Sequence, residues 1–313
     1  IDSPKYITLN ELEYISKFVS DFEEAINAKN GRNSQDIYYM DYIDATSWAD
    51  KMIIEELFSN WDMDYASQFF YKDTDDNKLH AGPVWDYDLS CGHVDGLYTS
   101  KTDTNVLFIN EHHFGMHGWW YERLYSHGDF KKLMTERYEK EFYPRIPGLV
   151  GMVLPGLNEQ IEQSTIMDSL RWSYEKDENL DTLCDYVEGK SEYLYDLWVN
   201  NTKYHKVTMV YDVYGEKNYY IVGVKDGEIL KDYPEVDAGD GEFLGWYVDN
   251  KPYSVNAIVK DDLTLVAKVQ QNTSPKSRIM KLINAVKSNI EIIPIVFFVL
   301  LIPAMIIYEK KRG

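Results

Sequence analysis

The sequence predicts an α+β protein in three parts. These are a mostly helical unit with an inserted β-hairpin over residues 1–200, a small β-rich module over 204–270, and a C-terminal transmembrane helix over 290–308. Three observations predict it. Apolar residues recur at helical spacing through most of the first 200 positions, alternation and turn signals replace that pattern after Asn201, and no charge occurs from Ile292 to Tyr308.

The first helix is written in "TLNELEYISKFVSDFEEAINA". Thr8 and Glu11 make a capping box, and Leu12, Ile15, Val19, Phe22 and Ile26 follow helical spacing. "NGRNSQD" reads as a loop. "DATSWADKMIIEELFSN" predicts a second helix capped near Asp44 or Thr46, with Trp48, Met52, Ile53 and Leu57 inward. "SQFFYKD" and "KLHAGPVWDYD" read as two strands joined by the turn "TDDN". Helical patterns resume in "GWWYERLYSHGDFKKLMTERYEKEF", "LNEQIEQSTIMDSLRWSYEKD" and "DTLCDYVEGKSEYLYDLWVN".

Beyond Asn201, "KVTMVYDVYG", "NYYIVGVKDGEIL", "EFLGWYVDNKPYS" and "LTLVAKVQ" alternate as strands do. A polar juxtamembrane linker follows over 271–289. Residues 290–308 are long enough, at about 28 Å of helix, to cross a bilayer core, and Pro294 and Pro303 are tolerated in such spans. Lys310, Lys311 and Arg312 mark a cytoplasmic tail over 309–313, although Lys276, Arg278, Lys281 and Lys287 precede the span. The long acidic part in front decides for a single-pass cell-membrane protein with its catalytic and β domains outside. Because the chain opens on Ile1, it reads as a fragment with an upstream beginning.

Composition narrows the partners. The net charge of -20, from 32 basic and 52 acidic residues, argues against nucleic acid. The 26 tyrosines suit an extracellular or carbohydrate-rich setting, or a Tyr-rich core. Cys91 and Cys184 show no zinc spacing and leave a single disulfide open. His112, His113 and His117 lack the HExxH glutamate and read as a solvated or packing loop. "DTDDN", residues 73–77, lacks the Gly and closing Glu of a calcium loop and reads as a hairpin turn.

Chemistry concentrates in "GPVWDYDLSCGH". Alternation puts Asp86 and Asp88 on one face of an extended chain, where two like charges favour a bound cation. Phosphoryl transfer needs one carboxylate to accept the proton of the attacking hydroxyl and another on the metal that bridges the phosphates. Asp62, at the end of a helix and before the hairpin, and Asp86, after it, fit those places. Ser67 and Gln68 stand where a kinase carries its metal Asn. Calcium binding, and a glycosidase pair of carboxylates, are the rival chemistries.

"YIDATSWADKMIIEELFSNWDMDYASQFFYKD…KLHAGPVWDYDLSCG" resembles the spore-coat protein H (CotH) kinase family over about residues 5–200, the C-terminal part of that kinase domain. The resemblance implies an atypical protein kinase that moves phosphate from ATP to Ser/Thr of a protein partner with Mg2+ or Mn2+. It implies Asp62 as the catalytic carboxylate and Asp86 on the metal. Asp88 supports a second metal or hydrogen-bonds the loop, and Ser67 and Gln68 are further metal donors. It also implies a phosphate-binding front lobe upstream, since only Lys5 and Lys17 precede Asp62 outside its own helix and loops as basic candidates. "DGEIL…YP", "GEFLGWY" and "DLTLVAK" resemble the internalin-type B-repeat, a β-grasp-like module of Gram-positive surface proteins. That resemblance implies adhesion or spacing, with a cell-wall or host-surface ligand. The reading from another class is a non-catalytic, membrane-anchored scaffold with a kinase-like body.

Overall fold

A computed structural model describes residues 6–60, 63, 67–91, 101–102, 104–108, 119–172, 180–213, 216–238 and 241–270. Helix α1 (Leu9–Asn27) begins at the predicted capping box: the Glu11 amide donates to Thr8 Oγ1 at 3.3 Å, and the Thr8 amide to Glu11 Oε2 at 2.8 Å. Only its second half reaches the core, through Phe22, Ala25 and Ile26. A single turn, α2 (Tyr39–Tyr42), leads to α3 (Ala45–Phe58), which Asp44 caps by accepting from the Ser47 amide at 2.7 Å. Ser59 ends α3 in the left-handed region, with φ 48°.

Helix α3 is the centre of the first core. Trp48, Ala49, Met52, Ile53 and Leu57 are buried, as their spacing predicts, and so are Lys51, Glu55 and Glu56. The helix packs against α5 (Gly128–Arg137) and α8 (Leu180–Trp198). The continuous helix predicted over 118–142 is divided instead. α4 (Trp119–Ser126) stops at His127, whose Nε2 donates to the Ile26 carbonyl at 2.8 Å and whose ring stacks on Tyr39. Past α5 the chain passes through irregular helical turns, Tyr138–Phe142 and Tyr143–Arg145, the single turn α6 (Ile146–Gly148), and Leu149–Val153. Pro144, Pro147 and Pro155 remove amide donors there, so a regular α-helical ladder cannot run through. α7 (Leu154–Trp172) then packs on α8 with none of its residues fully buried.

The second core lies on a six-stranded mixed sheet. Its strands are β3 (Lys101–Thr102), β4 (Tyr204–Val213), β5 (Glu216–Lys225), β6 (Glu242–Val248), β7 (Lys251–Pro252) and β8 (Leu263–Gln270), in the order β3-β5-β4-β8-β6-β7. β4 and β5 form a hairpin with Tyr204 opposite Lys225 and Val213 opposite Glu216. β8 runs parallel to β4 and antiparallel to β6. The β6 pairing slips between Phe243 and Gly245, where Gly245 has φ +115°, so this glycine serves a bulge inside the strand. Val207, Met209, Val222, Val224, Trp246 and Leu265 make the core, and Leu230 and Val259 cover it from loops.

One further expectation is corrected. Among the described residues no helix is long and apolar enough to cross a membrane. The span predicted at 290–308 lies outside the described residues, and the transmembrane helix is withdrawn from the fold class. With it go the membrane as partner and the single-pass, outside-facing localisation. Within the β-rich part, β4 and β8 run parallel at the centre of the sheet, between β5 and β6. Its edge strand β3 comes from residues 101–102, paired parallel to Tyr220 and Ile221, and among the described residues loops carrying Leu230 and Val259 cover its core.

Segment 104–108 runs between the two cores. Val106, Leu107 and Phe108 are buried, and a Cβ on Gly223 would stand 1.6 Å from the Asn105 carbonyl oxygen. Gly223→Ala therefore forces backbone apart and is expected to cost about 1–3 kcal/mol. The check is the urea midpoint against wild type, and an unchanged midpoint contradicts the close approach.

Candidate functional site

The site is built on α3. β1 (Phe70–Tyr71) and β2 (His80–Ala81) pair antiparallel, with Phe70 opposite Ala81. They are shorter than the predicted strands, because Pro83 has no amide to continue a ladder. Trp48 of α3 fixes the hairpin: its Nε1 donates to the Leu79 carbonyl at 2.8 Å, and its ring stacks on Phe70. The Ala81 amide donates to Ser47 Oγ at 3.2 Å. The connecting segment is the predicted turn. Asp76 accepts from the Lys78 amide and from His80 Nε2, and the His80 hydrogen bond, chiefly, holds its carboxyl below the usual range.

Residues 83–91 leave the hairpin as a loop folded back on the end of α3. Trp85, Asp86 and Asp88 are exposed, while Tyr87 between them turns inward. Asp86 has φ +60° and Cys91 φ +54°, left-handed conformations that are uncommon away from glycine. The Cys91 amide donates to the Phe58 carbonyl at 2.6 Å, Ser90 Oγ to the Tyr87 carbonyl at 2.6 Å, and the Leu89 amide to Asp88 Oδ1 at 3.0 Å. The first bond ties the loop to the end of α3, and the other two fold the loop on itself.

Under the loop lies a buried polar group. Lys51 Nζ meets Glu55 Oε1 at 2.5 Å, both side chains being at most 2% exposed, and donates to Tyr87 Oη at 3.2 Å. Gln68 Nε2 donates to the same Glu55 oxygen at 3.0 Å. Burial, followed by the charge of Glu55, pushes the Tyr87 phenol far above its ordinary value. At the next position, Glu56 accepts from the Phe108 amide at 2.7 Å and lies 3.5 Å from Lys190 of α8, which also donates to the Val106 carbonyl.

Of the residues singled out from sequence, Asp86 and Asp88 share one exposed loop. Asp62 lies outside the described residues, as do His112, His113 and His117. Ser67 is buried, and Gln68 turns its amide nitrogen to Glu55. Among the described residues no group of three or more His, Cys, Asp or Glu is arranged to hold a metal. Cys91 and Cys184 are free thiols, and burial pushes that of Cys91 up to about 11. Sequence reasoning missed Lys51, Glu55 and Tyr87. The available signal was a lysine and a glutamate four apart within an apolar helix that lacks a continuous polar stripe. A hollow of about 370 Å3 lies between the two cores, lined by Tyr125, Tyr193 and His205 among others, away from Asp86.

A scan against protein-family models matches residues 2–194, well over half of the 313, to "CotH kinase protein". The chain belongs to the CotH kinase family. The match contains α1 through most of α8, and with them the hairpin, Asp62 and the Asp86–Asp88 loop. It stops short of β4, and no internalin-type repeat is found there, so that reading and the surface ligand it implied are withdrawn. No curated protein matches the chain.

The buried phenols set an alkaline limit on stability. Tyr87, Tyr121 and Tyr138 are raised well above 10.0 and Tyr125 to about 12, each chiefly by burial. Above pH 10 the unfolded chain releases these protons and the folded chain keeps them, so the native state binds more protons. Stability is therefore expected to be insensitive to these groups below pH 10 and to fall as pH rises beyond it. Urea midpoints, with tyrosinate absorbance recorded in parallel, check this; absorbance that rises while the fold is intact and the midpoint holds counts against it.

Proposed function

We propose that this chain is a CotH-type kinase that transfers the γ-phosphoryl group of ATP to Ser/Thr hydroxyls of a protein partner. The observation that carries the reading is Asp86: an exposed carboxylate in the family-matched region, on a left-handed backbone position pinned to the end of α3. Strain of this kind persists where the surrounding structure over-determines it, and functional sites are where it clusters.

The donor set fits a hard divalent cation, since the exposed groups are carboxylate oxygens. Asp86, assisted by Asp88, would hold Mg2+ or Mn2+, which would neutralise charge on the nucleotide phosphates. Ser67 and Gln68 are assigned to the interior beneath the loop and not to the metal. Asp62 accepts the proton of the substrate hydroxyl as its oxygen bonds to the γ-phosphorus. The bond from that phosphorus to the β–γ bridging oxygen breaks, and ADP leaves. No residue is assigned to the adenine or to a basic grip on the phosphates, and Lys51 is excluded from that task by its burial against Glu55.

Radiolabelled ATP with Mn2+ or Mg2+ tests this on the full-length protein. Asp62→Asn and Asp86→Asn are each expected to lower labelling of itself or a partner by about a hundred-fold or more, with the melting temperature unchanged. Labelling that survives both substitutions refutes the assigned roles. Tight calcium binding with indifference to ATP makes the chain a kinase-fold binding protein instead.

A further inference from the structure

We infer that Lys51, Glu55 and Tyr87 are positioning residues: a buried ion pair holds the Asp86–Asp88 pair in place through Tyr87, the inward-turned side chain between them. This rests on the kinase reading for its consequence in catalysis, and on geometry for the positioning itself.

The loop is held at its far end, where the Cys91 amide meets the Phe58 carbonyl and Leu89 and Cys91 pack on the core, and the Trp85 ring meets Phe69 edge-on. Trp85, Asp86 and Asp88 face solvent, and β2 has ended at Ala81. Tyr87 is the inward anchor. Its hydroxyl accepts from Lys51 Nζ at 3.2 Å, the ammonium lies 5.3 Å from its ring centroid, and the Phe58 ring meets it edge-on at 6.2 Å. A flexible lysine can serve as an anchor only if it is itself fixed, and Glu55 fixes it at 2.5 Å. Gln68, on the chain entering β1, ties Glu55 in turn at 3.0 Å. Three segments thus meet at one charge pair: α3, the approach to β1 and the exit from β2.

The pair is poorly suited to a purely stabilising role. Ions removed from water are seldom repaid in full by their mutual attraction. Among the described residues, Glu55 Oε2 and Gln68 Oε1 are buried acceptors with no hydrogen-bond donor. Apolar side chains at positions 51 and 55 would fill α3's interior more cheaply. They would offer Tyr87 no directional partner, and the two flanking carboxylates would lose their fixed facing. Because Asp86 and Asp88 flank Tyr87 directly in the chain, a shift of the Tyr87 backbone carries both with it.

The test compares Tyr87→Phe, which keeps the ring, and Lys51→Met/Glu55→Gln, which neutralises the pair without leaving a lone charge. Hydrogen exchange is followed at the Leu89 and Cys91 amides, whose acceptors are Asp88 Oδ1 and the Phe58 carbonyl. Both variants are expected to exchange about ten-fold faster at these amides, with unaltered exchange in α5 and in β4–β5 and an intact fold. In the labelling reaction, the Mn2+ concentration for half-maximal rate is expected to rise about ten-fold, with the rate at saturating Mn2+ largely kept. Exchange at Leu89 and Cys91 that matches wild type in both folded variants overturns the inference. If either variant fails to fold, the other carries the comparison. Faster exchange in a protein that labels nothing keeps the positioning role and removes the kinase reading. A labelling protein whose metal requirement and exchange are both unmoved removes the positioning role alone.

Discussion

The rest of the structure hangs on the burial of α3 together with its charges. A helix buried over most of its surface must find a partner inside for every ion on its buried faces. Lys51 and Glu55 satisfy each other along the helix, but Glu56 needs help from elsewhere, and Lys190 of α8 and the Phe108 amide supply it. Each partner fixes a different segment: α8 closes the helical body, 106–108 begins the path to the sheet, and Gln68 and Tyr87 bracket the hairpin. The requirement to neutralise three side chains in a dry interior therefore specifies how four parts of the chain converge. Apolar packing alone specifies this less sharply, because apolar contacts are not directional.

The same constraint explains what could be read in the sequence. Helix starts were legible because their signals are local: Thr8 with Glu11, and Asp44 ahead of Ser47, act within one turn. The long strands after Asn201 were legible because β4, β5 and β8 alternate over eight or ten residues. The hairpin's turn was legible from its Asp and Asn residues, but its strand lengths were not, since they depend on where Pro83 and the docking to Trp48 end the ladder. The break at His127 was invisible, because its cause is a carbonyl of α1 a hundred residues away in sequence.

The candidate site divides along the same line. Asp86 and Asp88 stood out because exposed chemistry is written in residue type and spacing. Lys51, Glu55 and Glu56 were passed over because charged residues on a helix ordinarily face water. Their burial follows from the packing of α8, 104–108 and the hairpin around α3, which no short window of sequence contains. The match to the CotH kinase family contains this whole arrangement, and the geometry adds which side chains lie beneath its exposed carboxylates.

The bare strand position at Gly223 has a consequence for descent. Segment 104–108 touches the sheet through Gly223, where its backbone takes the room of a side chain, and touches α8 through Gly189, which stands close to Thr104. The join between helical body and sheet is thus keyed like a lock, with a notch on each side. Domains that meet through generic apolar faces can be exchanged by recombination and still fit. A sheet lacking the notch would not seat here without moving backbone, so a sheet put in its place needs a glycine at the matching position.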